Sequence, residues 1–383
     1  MICSCGVFKL RYSFVALICA GLWVVCRLGL GAILAPDIFT EMYRISVGCI
    51  FVGSALAGID IFVKPKAFRS AEISVRSFHW IIAAILLAIY LMQATAVDHL
   101  FDYLGLAFIT YAIVICERIN HISNIRDDFF IFVRNEVSLV ILRISVFCYI
   151  LNPIYCLIAA LLIIFLIRNF KWGFNGSTDN ESRCVTESPN FLDSLSWLLV
   201  LALGWLLPVI LESFLPTSIS ADMFFKAFII MNAITNVANL ILVRRGFSEH
   251  KGRPVWALGF ASFLSILVYI IPIIIVYGSN ELGMFSIDLF NKIGIFSVPV
   301  VLIFYMASRI LRNSVVLLDR FNLGETPFFA FFNCIQFCIL LFILLLSLVV
   351  KIDIFSSVLH FLILSNFLIF LFYNIWYRKK IYR

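Results

Sequence analysis

Apolar residues run along this chain in blocks of about twenty, separated by short polar segments from one end to the other. A bilayer core about 30 Å thick is crossed by about 20 apolar residues in a helix. Because hydrocarbon offers no partner to an unpaired backbone group, each crossing block is predicted to be helical. The pattern predicts an all-α polytopic membrane protein of about 12 transmembrane helices. The predicted spans are 12–34, 43–63, 78–97, 101–117, 132–151, 153–168, 195–215, 222–243, 255–277, 285–309, 327–350 and 354–377.

The positive charges test this count independently. If the N-terminus is cytoplasmic, all but six of the 29 Lys and Arg fall in the two termini or in alternate inter-helix segments. Cytoplasmic loops of membrane proteins carry such an excess of Lys and Arg. The opposite loops carry acids such as Asp37, Glu41 and Asp98. The charges therefore predict that both termini are cytoplasmic.

The composition of the chain excludes several classes of function. The chain is 63% hydrophobic and 13% charged, with a mean hydropathy of +1.06, whereas soluble domains carry roughly 25% charged residues. A separate soluble catalytic domain is excluded, and no nucleotide-binding, zinc-protease or nucleophile-elbow motif occurs. The net charge of +7 lies in short clusters between apolar runs, which argues against nucleic-acid binding. The eleven Cys and five His lack metal-ligand spacing, so we expect no metal and no cofactor.

A polar stretch lies at the midpoint of the chain. Residues 175–182 read NGSTDNES, a composition typical of a flexible linker. The predicted organisation is an N-terminal lobe of six helices at 1–168, a cytoplasmic linker at 169–194, and a C-terminal lobe of six helices at 195–383. Many transporters are built from two such bundles.

Five cations lie within or at the edge of spans, where a charge costs about 2.5–3.5 kcal/mol on insertion scales. Arg and Lys pair well with phosphate oxygens. If the five side chains face one cavity, that cavity suits a diphosphate or an acidic sugar. The candidate substrate-binding residues are Arg27, Arg44, Arg143, Lys226 and Lys292.

For two of these cations a structural interpretation stays open beside the functional one. Arg27 lies in the outer half of its span and has the length to snorkel to the outer surface. Arg44 opens the second span at the outer interface.

Acidic residues in the spans leave two further alternatives open. Glu136 precedes Arg143 by seven residues and shares its helical face, and Asp288 precedes Lys292 by four. Each acid is either the ion-pair partner of that cation or a coupling group. Asp60, near the inner end of the second span, is a third candidate for coupling or a partner of a neighbouring Lys.

Three stretches of the chain resemble a known family. Residues 27–64, RLGLGAILAPDIFTEMYRISVGCIFVGSALAGIDIFVK, are similar to the first two helices of polysaccharide flippases. SWLLVLALGWLLPVILESFLP at 196–216 and NAITNVANLILVRR at 232–245 resemble their seventh and eighth helices. The chain resembles the Wzx-type oligosaccharide flippases of the multidrug/oligosaccharidyl-lipid/polysaccharide (MOP) exporter superfamily, although it is short for that family.

The resemblance implies a V-shaped pair of six-helix lobes around a central cationic cavity. It also implies alternating access and, as cargo, an undecaprenyl-diphosphate-linked oligosaccharide in a bacterial inner membrane. A polysaccharide polymerase and a chain-length regulator are the further partners that it suggests. The positions carried over as cavity cations are Arg27, Arg143, Lys226 and Lys292, with Asp60 as the coupling group.

Two rival functions remain. A membrane glycosyltransferase or O-antigen polymerase acts on the same lipid-linked sugars, and Asp37 and Glu41 in the first outer loop would be its acids. Such enzymes need a sizeable outer loop, and this loop has only about eight residues by the assigned spans. A small-molecule antiporter of the same superfamily would need acidic cavity residues for cationic drugs, whereas the spans carry mainly cations.

Overall fold

The computed structural model describes residues 4–63, 85–88, 100–126, 129–169, 199, 202–217, 219–242, 262–263, 265–267, 298–322, 328–349 and 353–381. Within these ranges every regular element is a helix, so the predicted all-α class is confirmed. The count of twelve spans includes segments outside these ranges and stays a prediction. The helices used below are α1 (Ser4–Ile33), α2 (Pro36–Val63), α3 (Leu100–Arg126), α4 (Phe129–Phe147), α5 (Pro153–Asn169), α6 (Leu207–Glu212), α7 (Ala221–Leu242), α8 (Val298–Asn322), α9 (Phe328–Val349) and α10 (Ile354–Ile381).

Local chemistry explains where several helices begin. Pro36 is the first residue of α2. The N–H groups of a first helical turn have no intrahelical acceptor, so a proline at this position sacrifices no hydrogen bond. Ser220 precedes α7, and its hydroxyl oxygen accepts from the backbone N–H of Met223 at 3.3 Å. Asp353 precedes α10 and accepts from the N–H of Ser356 at 3.3 Å. Such N-caps satisfy backbone donors that the first turn leaves unpaired.

Most described helices lie close to the predicted spans. Helix α7 runs Ala221–Leu242 against a predicted 222–243, and α10 begins at Ile354 as predicted. The main difference is α8, which runs Val298–Asn322 and does not end near 309. Arg309 and Arg312, at and beyond the predicted end of the span, therefore lie within a continuous helix.

The chain forms two compact units. The N-terminal unit comprises Val7–Ser213 and Thr217–Lys226. The C-terminal unit comprises Met1–Gly6, Phe214–Pro216 and Ala227–Arg383. The first turn of α7 therefore belongs to the N-terminal unit. Apart from Asn169, the last residue of α5, the predicted linker at 169–194 lies outside the described residues, so a lobe boundary there stays a prediction.

In the N-terminal unit α2, α3 and α4 pack on one another, and α5 packs on α3 and α4. Gly53 allows α2 to approach α3 closely, because a Cβ there would stand 2.8 Å from Cγ2 of Ile113. Beside it Val52, Leu56 and Val114 are buried, and between membrane helices such close contacts stabilise the fold mainly through van der Waals packing. In the C-terminal unit α10 packs against α8 and α9.

Three helices in the described part of the chain are long and apolar enough to cross a membrane, namely those at Phe14–Ile33, Leu100–Glu117 and Ile354–Ile375. Their outer faces carry large exposed apolar side chains, including Val25, which is 68% exposed. Exposed apolar surface of this extent is typical of contact with lipid. The packing of α1 thus puts apolar residues outside, while Arg27 on the same helix is buried.

Candidate functional site

Arg27 lies inside the N-terminal unit, enclosed by aromatic rings. Its guanidinium carbon is 4.5 Å from the ring centroid of Tyr43, 4.8 Å from that of Trp23 and 5.5 Å from that of Phe147. Trp23 precedes Arg27 by four residues and so shares its face of α1, whereas Tyr43 and Phe147 come from α2 and α4. We call Trp23, Tyr43 and Phe147 the aromatic cage.

The cage compensates the Arg27 charge only in part. A desolvated cation over an aromatic face gains about 2 kcal/mol, which is less than the cost of removing a guanidinium from water. The side chain is 5% exposed, and within the described residues its Nε and Nη2 atoms have no hydrogen-bond partner. Arg27 is therefore a buried cation with unused donors.

The aromatic surface continues beyond the cage. The rings of Tyr43 and Phe225 stack at 4.0 Å with an angle of 13° between their planes. Phe147 meets Phe39 edge-on at 5.8 Å. Phe39 in turn lies 5.3 Å below the Nζ atom of Lys226.

Lys226 is held next to Arg27 along α1. Its Nζ donates to Oδ2 of Asp222 at 2.8 Å. Its Cε atom lies 2.9 Å from the point where a Cβ on Gly31 would stand. Gly31 follows Arg27 by one helical turn, about 6 Å along the axis. The structure therefore packs the side chain of Lys226, which belongs to α7, against α1 one helical turn from Arg27. We call Arg27 and Lys226 the cation pair.

Arg44 is paired with two acids. Its Nε and Nη2 donate to the two carboxylate oxygens of Glu212 at 2.9 and 2.5 Å. Its Nη1 donates to Oε1 of Glu41 at 2.9 Å. A two-point contact of this kind is the strong geometry for an Arg–carboxylate pair. The arrangement makes Arg44 a structural tie between α2 and the end of α6.

Arg143 also has an acidic partner, from a helix that the sequence did not indicate. Its Nη2 donates to Oε1 of Glu117 on α3 at 2.8 Å, and the same oxygen accepts from the hydroxyl of Ser54 on α2 at 3.0 Å. Glu136, the predicted partner on α4, also has an interaction, and its pairing with Arg143 stays a prediction. Asp60 lies on α2, but its side chain is not among those that the structure describes. Asp288 and Lys292 lie outside the described residues.

The C-terminal unit carries arginines held by side-chain amides. Arg309 donates from Nη1 to Oδ1 of Asn232 at 2.6 Å, and its guanidinium lies over the ring of Tyr305. Arg312, 6% exposed, donates to Oδ1 of Asn333. The three-residue spacing of Arg309 and Arg312 puts both on one helical face. This spacing was the signal in the sequence that both side chains face neighbouring helices.

A buried amide network joins the helices beside Arg312. The Nδ2 atom of Asn366 donates to the Ser308 hydroxyl at 3.1 Å, and the Nε2 atom of Gln336 donates to Ser365 at 2.6 Å. Apolar helices gain affinity and register from such interhelical bonds. We interpret the network as the seam that holds α8, α9 and α10 together.

Substituting Gly31 by alanine tests the position of Lys226. The new Cβ would stand 2.7 Å from Cε2 of Phe39 and 2.9 Å from Cε of Lys226, so we expect overpacking to lower stability by about 1–3 kcal/mol. Gly29→Ala is the matched control, because nothing lies within 4 Å of its Cβ position. Thermal unfolding of the purified variants in detergent measures both. Equal midpoints for the two variants would contradict the placement of Lys226 against α1.

Within the described residues, no group of three or more His, Cys, Asp or Glu side chains is placed to hold a metal ion. The chemistry available in the N-terminal unit is that of a buried anion site. Arg27 presents two unused donors, and Lys226 lies one helical turn away. A phosphate oxyanion accepts such donors at short distance.

Comparisons with known proteins add little to this description. No protein-family model matches the chain, and no curated protein matches it. Among solved structures, an outward-facing multidrug resistance transporter of the MATE family in the MOP superfamily is similar, with 12% identity and a TM-score of 0.48. The match covers 98% of this chain and 95% of that one. The function of this chain is therefore inferred from its own residues.

Proposed function

We propose that the protein is a membrane transporter that flips a polyprenyl-diphosphate-linked oligosaccharide across the cytoplasmic membrane, as Wzx-type flippases do. The observation that carries the proposal is the cation pair. Arg27 is buried without a carboxylate partner among the described residues, and its Nε and Nη2 atoms are free to donate. A diphosphate supplies several oxyanion acceptors for those donors and for Lys226.

The surroundings of the cation pair suit a lipid-linked cargo. The aromatic cage excludes water, which strengthens every charge–charge interaction inside it. Aromatic faces such as those of Trp23 and Tyr43 also stack on sugar rings through their apolar sides. Large exposed apolar residues on α1 would leave the polyprenyl chain in contact with lipid. Alternating access, which the resemblance implies, is the mode in which such a site would be exposed first to one side and then to the other.

The rival functions fit the geometry less well. Only Leu34 and Ala35 separate α1 from α2, so the predicted outer loop is a turn with no room for an acceptor sugar. Glu41 lies on α2 and is engaged with Arg44, which removes it as a general acid for a polymerase. A cation-exporting antiporter would need an acid without a counter-ion, whereas Asp222 and Glu117 are each paired with a cation.

Deletion of the gene in its native host tests the proposal. We expect surface polysaccharide to be lost, unsubstituted lipid core to remain, and lipid-linked single repeat units to accumulate on the cytoplasmic side. Gel electrophoresis of surface polysaccharide and extraction of lipid-linked sugars measure the two effects, with plasmid-borne wild type as the control. A core bearing one repeat unit would mean that the unit crosses without this protein, and it would overturn the flippase in favour of the polymerase.

A further inference from the structure

Asp222 is a buried carboxylate that is only half satisfied. The residue is 8% exposed, and its Oδ2 atom accepts from Lys226 at 2.8 Å. Within the described residues its Oδ1 atom is buried without a hydrogen-bond partner. An ionised carboxylate has room for about four donors. Its hold on Lys226 is therefore weaker than the hold that Glu212 has on Arg44 through two oxygens.

The neighbouring charges leave Lys226 as the exchangeable cation of the site. From α2 and α6, Glu41, Arg44 and Glu212 are bound to one another. On α1, Arg27 has the cage in place of an acid. Lys226 has one counter-ion, and that counter-ion lies one turn away on its own helix. Its side chain is 30% exposed, and its flexible four-carbon stem allows the ammonium to swing.

We propose that Asp222 is an internal competitor for Lys226, displaced by the diphosphate when cargo binds and restored when cargo leaves. The inference rests on the proposed function. In the empty protein Lys226 donates to Oδ2 of Asp222, and in the loaded protein it donates to a phosphate oxygen. A diphosphate carries more negative charge than one carboxylate and also reaches Arg27, so it wins the exchange. Asp222 then lowers the affinity of the site and speeds release.

The test is the affinity of the purified full-length protein for geranyl diphosphate, measured by calorimetry in detergent at fixed pH and salt. We expect Asp222→Asn to tighten binding about tenfold, because the ammonium is no longer shared. Asp222→Ala should give the same change if the asparagine variant folds poorly. In a Lys226→Met background, Asp222→Asn should change affinity by less than about twofold. Asp37→Asn, which removes one exposed acid of the same unit, should leave affinity within about twofold of wild type.

The outcomes distinguish competition by Asp222 from a general effect of net charge. They also distinguish failure of this inference from failure of the proposed function. If Asp222→Asn leaves affinity unchanged, or tightens binding equally in the Lys226→Met background, the competitor is overturned while the anion site stands. If Asp37→Asn tightens binding as strongly, the effect is one of net charge and the competitor is again overturned. If wild type does not bind geranyl diphosphate, or binds it as well after Arg27→Met, the proposed function fails and the competitor fails with it.

Discussion

Replacing Arg27 by methionine is expected to abolish flipping while leaving the protein folded. Methionine keeps apolar bulk against Trp23, Tyr43 and Phe147 but removes every donor that the guanidinium offers. Truncating one partner of a buried charge pair costs 2–5 kcal/mol, so we expect cargo affinity to fall by about a hundredfold or more. The cargo affinity of Arg27→Lys should lie between those of wild type and Arg27→Met, since lysine keeps the charge but loses the planar guanidinium.

Affinity for geranyl diphosphate and restoration of surface polysaccharide in the deletion strain measure this loss. Thermal unfolding supplies the control, because removing a merely structural Arg27 would lower the unfolding midpoint. We expect the midpoint of Arg27→Met to equal or exceed that of wild type, since a buried cation without a counter-charge has been removed. A variant that unfolds early, or that still flips cargo at the wild-type rate, would show that Arg27 serves packing alone.

Replacing Glu117 by methionine is expected to give the largest loss of stability. It leaves Arg143 as a half-buried cation among α2, α3 and α4, and breaking a buried pair by removing one partner costs about 3–5 kcal/mol. The two side chains retain 22% and 16% exposure, so we expect the lower part of that range. The double variant Glu117→Met with Arg143→Met should recover most of the loss, because no uncompensated charge remains.

Thermal unfolding of wild type, Glu117→Met, Arg143→Met and the double variant measures the cycle. Ser54→Ala is the matched control for losing one neutral hydrogen bond, at about 1 kcal/mol. The double variant also decides what Arg143 does. If it is stable and still flips cargo, Arg143 is structural. A stable double variant that no longer flips cargo would identify Arg143 as a cargo cation, as the sequence suggested. A Glu117→Met protein as stable as wild type would refute the ion pair.

The sequence predicted the helices well because hydropathy reports directly on the solvent around them. The two ends of α7 lie within one residue of the predicted span. The Asp222–Lys226 pair was also readable, since acid and base stand four residues apart on one helix in the favourable order. Its importance was missed because Lys226 was considered without Asp222.

The partners of the cations could not be predicted, because they come from other helices. Glu117 is 26 residues from Arg143 in the chain, and nothing local distinguishes it from Glu136. Tyr43 and Phe147 join the cage only through tertiary packing. The end of α8 was predicted too early because the positive charge was taken to mark the end of an apolar run. A buried Arg is tolerated inside α8 because Asn333 supplies its acceptor.

The uneven pairing of Arg44 and Arg27 has an electrical consequence. Arg44 holds two carboxylates and so carries one negative charge in excess, while Arg27 holds none and carries one positive charge in excess. The pairs Lys226–Asp222 and Arg143–Glu117 are neutral, so these side chains together sum to zero. Each net charge moved through 100 mV involves about 2.3 kcal/mol. When an empty carrier of this design changed shape, these groups of the N-terminal unit would therefore add little work against the membrane potential. A loaded one would carry the charge of its cargo, and an interior-negative potential would drive that charge outward.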